Sequence, residues 1–195
     1  MTTSTNNLVI IYFPGTGGHH LANLLSITGR YQYTVDYSRY FASDGQKYLP
    51  AHYQDHSAES SVYLYHYGSA DDSQIEKISG PSTQFLVIHF PTNNELAWRR
   101  IEINKWPSMN NNKLRDFHFK YDLEKIYKQP YLEKLYPGKW ATVMADDLFS
   151  DDTNLLFDKL ESAVGAQFLD RELANCIHAQ WIKNIKEYIS LLGTQ

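Results

Sequence analysis

Three short apolar runs lie along the first half of the chain, and each meets a strand-breaking residue at its end. Asn7 to Phe13 reads Asn-Leu-Val-Ile-Ile-Tyr-Phe and runs into Pro14-Gly15. Ser61 to Tyr67 reads Ser-Val-Tyr-Leu-Tyr-His-Tyr and stops at Gly68, and Gln84 to Phe90 reads Gln-Phe-Leu-Val-Ile-His-Phe and stops at Pro91. Runs of this length, rich in β-branched and aromatic residues and bounded by Gly or Pro, predict strands. The first and third are apolar on both alternating faces, as strands buried in a parallel sheet are. Trp140 to Ala145 supplies a later strand, and Tyr31 to Val35 predicts a further one.

Between these runs the spacing becomes helical. His20-Leu-Ala-Asn-Leu-Leu-Ser26 sets Leu21, Leu24 and Leu25 on one face and ends near Gly29. Ala70 to Ile78 predicts a short helix, and Thr92-Asn-Asn-Glu95 has the form of a capping box opening a helix towards Lys105. Asp151-Asp-Thr-Asn leads into Leu155, Leu156, Leu160 and Val164, a capped amphipathic helix, and Ala174 to Leu192 gives another. Pro107, the Asn110 to Asn112 cluster and Pro137-Gly138 mark residues 107 to 138 as a surface excursion. Strands alternating with helices predict an α/β fold of three layers, α/β/α, with a mostly parallel central sheet and ligands beyond the carboxyl ends of the strands. No repeat, low-complexity tract or linker divides the chain, so residues 1–195 are read as one domain.

Composition narrows the class. At 195 residues the chain is long enough to bury a core without staples. Cys176 is its single cysteine, so no internal disulfide forms, and no Cys/His spacing resembles a zinc site. With no apolar run near the ~20 residues of a membrane span and no signal-like start, a soluble, cytoplasmic protein is expected. The net charge of −4, with both signs interspersed, argues against nucleic-acid binding by electrostatics alone and leaves room for a local basic pocket.

The candidate chemistry concentrates in Phe13-Pro-Gly-Thr-Gly-Gly-His-His20. Gly15, Gly17 and Gly18 allow a tight turn that aims several N–H groups inward, and the following helix adds its positive end, a geometry that suits phosphate or sulfate. The Thr16 hydroxyl can donate to such an anion, as can His19 and His20 at the helix start. A ligand-free turn and packed histidines are the plain alternatives. The stretch lacks the Lys and the Ser or Thr of a Walker A motif, which counts against ATP or GTP hydrolysis. Arg100 can fork onto a phosphate, whereas Arg99 stands four residues after Glu95, the spacing of a surface ion pair. Asp146 and Asp147 follow a strand and suit a turn, and the four tryptophans suit core or interface positions.

Four stretches, in order, resemble the sulfotransferase family, whose donor is adenosine 3′-phosphate 5′-phosphosulfate. Tyr12 to Gly18 is similar to the opening phosphosulfate loop. Tyr65-His-Tyr-Gly68 is similar to the strand end that carries a catalytic histidine. Leu86 to Thr92, with the helix through Arg100, is similar to the second donor-binding segment. Val143-Met-Ala-Asp-Asp-Leu-Phe-Ser150, with its following helix and Val164-Gly165, is similar to a late strand and its sequel. The family's loop Lys is Gly15 here, its second-segment Arg is His89, and its Ser eight residues later is Ala97.

The resemblance implies a P-loop NTPase-like fold and sulfuryl transfer from that donor to a hydroxyl or amine on a small molecule, carbohydrate or protein, with no metal required. His66 would be the catalytic base; Gly15, Thr16, Gly17, Gly18, His19, His20, His89 and Arg100 would hold the donor. A catalytically silent anion-binding or assembly protein of the same fold, and a P-loop kinase, are the other readings.

Overall fold

The computed structural model describes residues 7–12, 15–48, 61–66, 80–89, 94–105, 134 and 137–192. Strand β1 (Leu8–Tyr12) has all five residues buried, because it is flanked on both sides. It pairs in parallel with β2 (Val62–His66) on one side and β3 (Gln84–His89) on the other. Strand β4 (Trp140–Met144) continues the sheet beyond β3, giving the all-parallel order β2-β1-β3-β4. The three early runs therefore lie side by side as their sequence predicts, with Tyr12 in register with His66.

The strand expected over Tyr31 to Val35 does not form. Val35 makes a single bridge, and the chain goes on into 3-10 turns at Tyr37–Phe41 and Gly45–Tyr48. Asp36 causes the change by accepting from the Ser38 N–H and opening the first turn. The segment still rests against the edge of the sheet. Ser61 N–H donates to the Gln32 carbonyl and Gln32 N–H to Ser61 Oγ, both at 2.9 Å.

Helix α1 (Gly18–Ser26) follows the glycine loop directly. Helix α2 (Glu95–Lys105) is capped by Asn94, whose Oδ1 accepts from Leu96 and Ala97 N–H at 3.0 and 3.3 Å. After the short α3 (Ala145–Leu148), α4 (Thr153–Val164) is capped by Asp152 and closed by Gly165 in the left-handed conformation. Helix α5 (Arg171–Leu192) starts three residues ahead of its expected start because Asp170 accepts from Leu173 N–H at 2.8 Å. Phe13, Pro14, the expected helix over 70–78, the box residue Thr92 and residues 107–133 of the expected excursion lie outside the described residues.

The two faces of the sheet bury different clusters. Leu8, Ile10, Tyr12, Leu86, Ile88 and Val143 join apolar residues of all five helices in the main core. Val9, Ile11, Phe85 and Val87 form a second cluster with Tyr63, Tyr65 and Trp140, where Phe85 and Trp140 stack at 4.5 Å. Among the described residues no helix joins that cluster, so the described helices cover one face of the sheet and the second helical layer of the expected α/β/α arrangement is not among them. Among the described residues no helix is long and apolar enough to cross a membrane.

Candidate functional site

The loop between β1 and α1 uses its glycines for distinct reasons. Gly15 and Gly17 have φ of 95° and 90°, the left-handed region that L side chains rarely adopt. Gly18 is held by close approach instead: a Cβ there would sit 2.4 Å from ring carbons of Tyr12. Gly17 is the N-cap of α1 and offers no side-chain cap. The first turn of a helix leaves N–H groups without intrahelical acceptors, and its dipole is positive there, so this end suits an anion. Thr16 is fully buried in the loop, and His19 is half-buried and edge-on to the Tyr12 ring at 6.0 Å.

His20 is placed differently from its expected role as a donor to an anion. It is fully buried, its Nδ1 meets the Tyr40 hydroxyl at 2.9 Å, and its Nε2 meets His178 Nδ1 at 3.1 Å. Its ring stacks on Trp181 with centroids 3.9 Å apart and planes 9° apart. Burial first, then His178 and Arg100, hold its pKa well below the ordinary histidine value, so the ring is neutral. With both nitrogens engaged, His20 ties α1 to α5 and supplies no charge at the loop.

Arg100 brings a positive charge close to His20 and Trp181. It is 8% exposed, and its guanidinium carbon lies 5.0 Å from the centroid of the Trp181 ring, within cation–π range. Trp181 in turn abuts the loop, since a Cβ on Gly17 would meet its Cη2 at 3.1 Å. Loop, indole and guanidinium are thus in one cluster. The neighbouring Arg99 turns outward and meets Glu95 at 3.9 Å, with 52% of its side chain exposed, which is the surface pair its spacing predicts.

Beside this cluster Lys47, Tyr48, Arg100, Trp181, Asn184, Ile185 and Tyr188 line a narrow cleft. Lys47 Nζ and the Tyr48 hydroxyl both donate to Glu187 Oε1, at 2.8 and 2.9 Å, and Tyr48 stacks on Tyr188 at 4.9 Å. The hydrogen bond from Lys47 lowers the pKa of Glu187, and the same bond raises that of Lys47. Asn184 Nδ2 donates to the Tyr40 carbonyl at 2.8 Å and fastens the 3-10 turns to α5. The indole N–H of Trp181 is buried and has no acceptor among the described residues.

His66 ends β2 in register with Tyr12, which places its backbone about one strand spacing, ~4.8 Å, from the residue that precedes the loop. Only its backbone is among the described atoms. His89 ends β3, half-buried, in register with Met144. Asp146 and Asp147 serve the fold: Asp146 Oδ1 accepts from Asn94 N–H at 3.1 Å, and Asp147 pairs with Lys159 at 2.7 Å. No three His, Cys, Asp or Glu side chains gather around a point that would hold a metal ion among the described residues.

Tyr40, His178 and Trp181 were not singled out by the sequence for this region. For the last two a signal existed: they stand three apart in α5, among Ala174, Ile177, Ile182 and Ile185, which marks them as one buried helix face. Comparison of the chain with protein-family models, curated proteins and solved structures finds no match.

Proposed function

We propose that the protein is a sulfotransferase-like enzyme that moves a sulfuryl group from adenosine 3′-phosphate 5′-phosphosulfate to a hydroxyl or amine acceptor. The observation that carries this reading is the position of the glycine loop within the strand order. From β1 the chain passes to β2 on one side, while β3 lies on the other side with β4 beyond it. Connections that diverge in this way open a crevice at the carboxyl ends of the strands, where α/β proteins bind their ligands. The glycine loop and the first turn of α1 stand at that crevice, with the end of β3 beside it and Arg100 next to the loop through Trp181.

In this reading the first-turn amides of α1 and the Arg100 guanidinium neutralise the charge on the transferred group. The acceptor oxygen or nitrogen forms its bond to sulfur as the bond from sulfur to the donor's bridging phosphate oxygen breaks. Adenosine 3′,5′-bisphosphate leaves, and His66 accepts the acceptor's proton. In this reading His20, with both ring nitrogens engaged inside the fold, takes no part in donor contact.

One observation favours a second reading, a silent binding protein of the same fold. Ala97, at the position where the family resemblance calls for Ser, is fully buried among the core residues of α2 and presents no hydroxyl to a donor. Calorimetric titration with adenosine 3′,5′-bisphosphate beside ATP, followed by a transfer assay with labelled donor, separates the readings. Bisphosphate binding with transfer supports the enzyme. Bisphosphate binding with no transfer to any acceptor class supports the silent protein, and magnesium-dependent ATP turnover with no bisphosphate binding supports a kinase.

A further inference from the structure

A file of buried polar side chains starts on α1, passes through the 3-10 turn at Tyr37–Phe41 and back through α1, and reaches α5. Asn23 Nδ2 donates to the Tyr40 hydroxyl at 2.8 Å, that hydroxyl meets His20 Nδ1 at 2.9 Å, and His20 Nε2 meets His178 Nδ1 at 3.1 Å. The file ends at 3.1 Å between His178 Nε2 and the Ser150 carbonyl. That carbonyl can only accept, so His178 Nε2 carries a hydrogen. In a neutral His178 the other nitrogen then accepts, which requires His20 to donate from Nε2 and accept at Nδ1. The Tyr40 hydroxyl donates to that Nδ1 while accepting from Asn23. One carbonyl fixes both tautomers.

The inner end of the file lies in the helix that follows the glycine loop. At its outer end His178 helps line a surface recess with Asp151, Thr153, Lys183 and Lys186. We propose that the file is a proton-linked switch: one proton taken up at His178 reverses the direction of its hydrogen bonds and couples the acidity of the recess to helix α1.

The reversed state balances. The His178 cation still donates to Ser150 and now also donates from Nδ1 to His20 Nε2. His20 stays neutral, moves its hydrogen to Nδ1 and donates to the Tyr40 oxygen. The Tyr40 hydroxyl then needs an acceptor, and Asn23 Oδ1, buried and without a donor among the described residues, supplies it once the amide turns over. One proton enters at His178 and none leaves.

The surrounding groups send the charge to His178 and away from His20. Arg100, from α2, acts against a positive charge on His20, and Asp151, from the segment before α4, favours one on His178. Lys186, on α5, is paired with that Asp151 at 3.0 Å, and Lys183 stands beside it in the recess. From α4 the uncharged Phe157 ring meets His178 edge-on at 6.2 Å. Burial lowers the pKa of His178 below the ordinary value, opposed by the Ser150 carbonyl and Asp151. The neutral file is therefore the state near pH 7 and above, and the reversed file belongs to the acid side.

Nitrogen NMR of the full chain with labelled imidazoles, from pH 8 to pH 5, tests the switch. At pH 8 both rings should carry hydrogen on Nε2. As His178 becomes charged, His20 should change to the Nδ1–H form with the same midpoint while staying neutral, and hydrogen exchange in the first turn of α1 should change with it. His20 retaining its Nε2–H form, acquiring charge itself, or α1 exchange unchanged through the midpoint would overturn the proposal, as would unfolding before His178 titrates. Tyr40→Phe removes the acceptor that the reversed file needs. It should abolish the tautomer change and lower the His178 midpoint by about one pH unit, a tenfold weaker proton affinity. An unchanged midpoint and reversal in that variant would also overturn it.

Discussion

The indole of Trp181 occupies the space that a side chain on Gly17 would need: a Cβ there would lie 3.1 Å from Trp181 Cη2. Gly17 caps the first helix and Trp181 lies on the last, so the C-terminal helix forms one wall of the loop. A loop that binds an anion through its backbone needs such a wall, because its own glycines supply no packing.

Gly17→Ala should cost about 2–4 kcal/mol, from a left-handed backbone forced on an L residue and from overpacking against Trp181 and Leu148. Urea unfolding of this variant beside Gly45→Ala checks the cause. A Cβ on Gly45 meets nothing within 4 Å and its φ lies outside the left-handed region, so that change should stay within about 0.5 kcal/mol. Equal losses in the two variants would contradict the account.

Stability should fall as the solution is made acidic from neutrality. His20 and His178 are both held neutral by burial, with folded-state pKa values below the ordinary 6.5. The unfolded chain therefore binds protons first. The stabilisation is complete above about pH 6.5 and is lost as pH falls from there towards the folded-state values, by up to about 1.4 kcal/mol per pH unit for each proton. Unfolding free energies at pH 7.5, 6.5, 5.5 and 5.0 measure the slope, and a flat profile would show that the pair is not buried in neutral form.

The adjacent arginines should separate cleanly. Arg100→Gln should weaken binding of sulfate or adenosine 3′,5′-bisphosphate by about 10- to 100-fold, the worth of a charged hydrogen bond. Arg99→Gln, which removes an exposed pair with Glu95, should change affinity less than twofold and stability by less than about 1 kcal/mol. The reverse order would assign the anion to the outer face of α2.

His66→Ala should lower turnover by about 10²–10⁴-fold while donor affinity survives, the pattern of a lost general base. A parallel loss of affinity and stability would instead identify a structural histidine.

Much of this fold was legible in the sequence because its strongest signals are local. Asn7 to Phe13, Ser61 to Tyr67 and Gln84 to Phe90 declare themselves as strands by apolar content and by the Gly or Pro that ends each. The parallel orientation of the strands follows from strand and helix alternation. Tyr31 to Val35 has the same alternating burial as a strand, yet Asp36 draws the chain into a 3-10 turn before a ladder can form. The Arg99/Arg100 distinction was also legible, from the spacing to Glu95. His20 was not. Its role depends on Tyr40 and on His178, 158 positions away, and no local pattern announces a hydrogen bond of that span.

Backbone amide NMR during titration with adenosine 3′,5′-bisphosphate tests most directly whether the glycine loop holds the phosphate side of the proposed donor. Saturable binding is expected, with the largest shifts at the amides of Gly15 to His19 and a matching change at the Arg100 guanidinium. No binding, or binding whose shifts bypass the loop and Arg100, would contradict it.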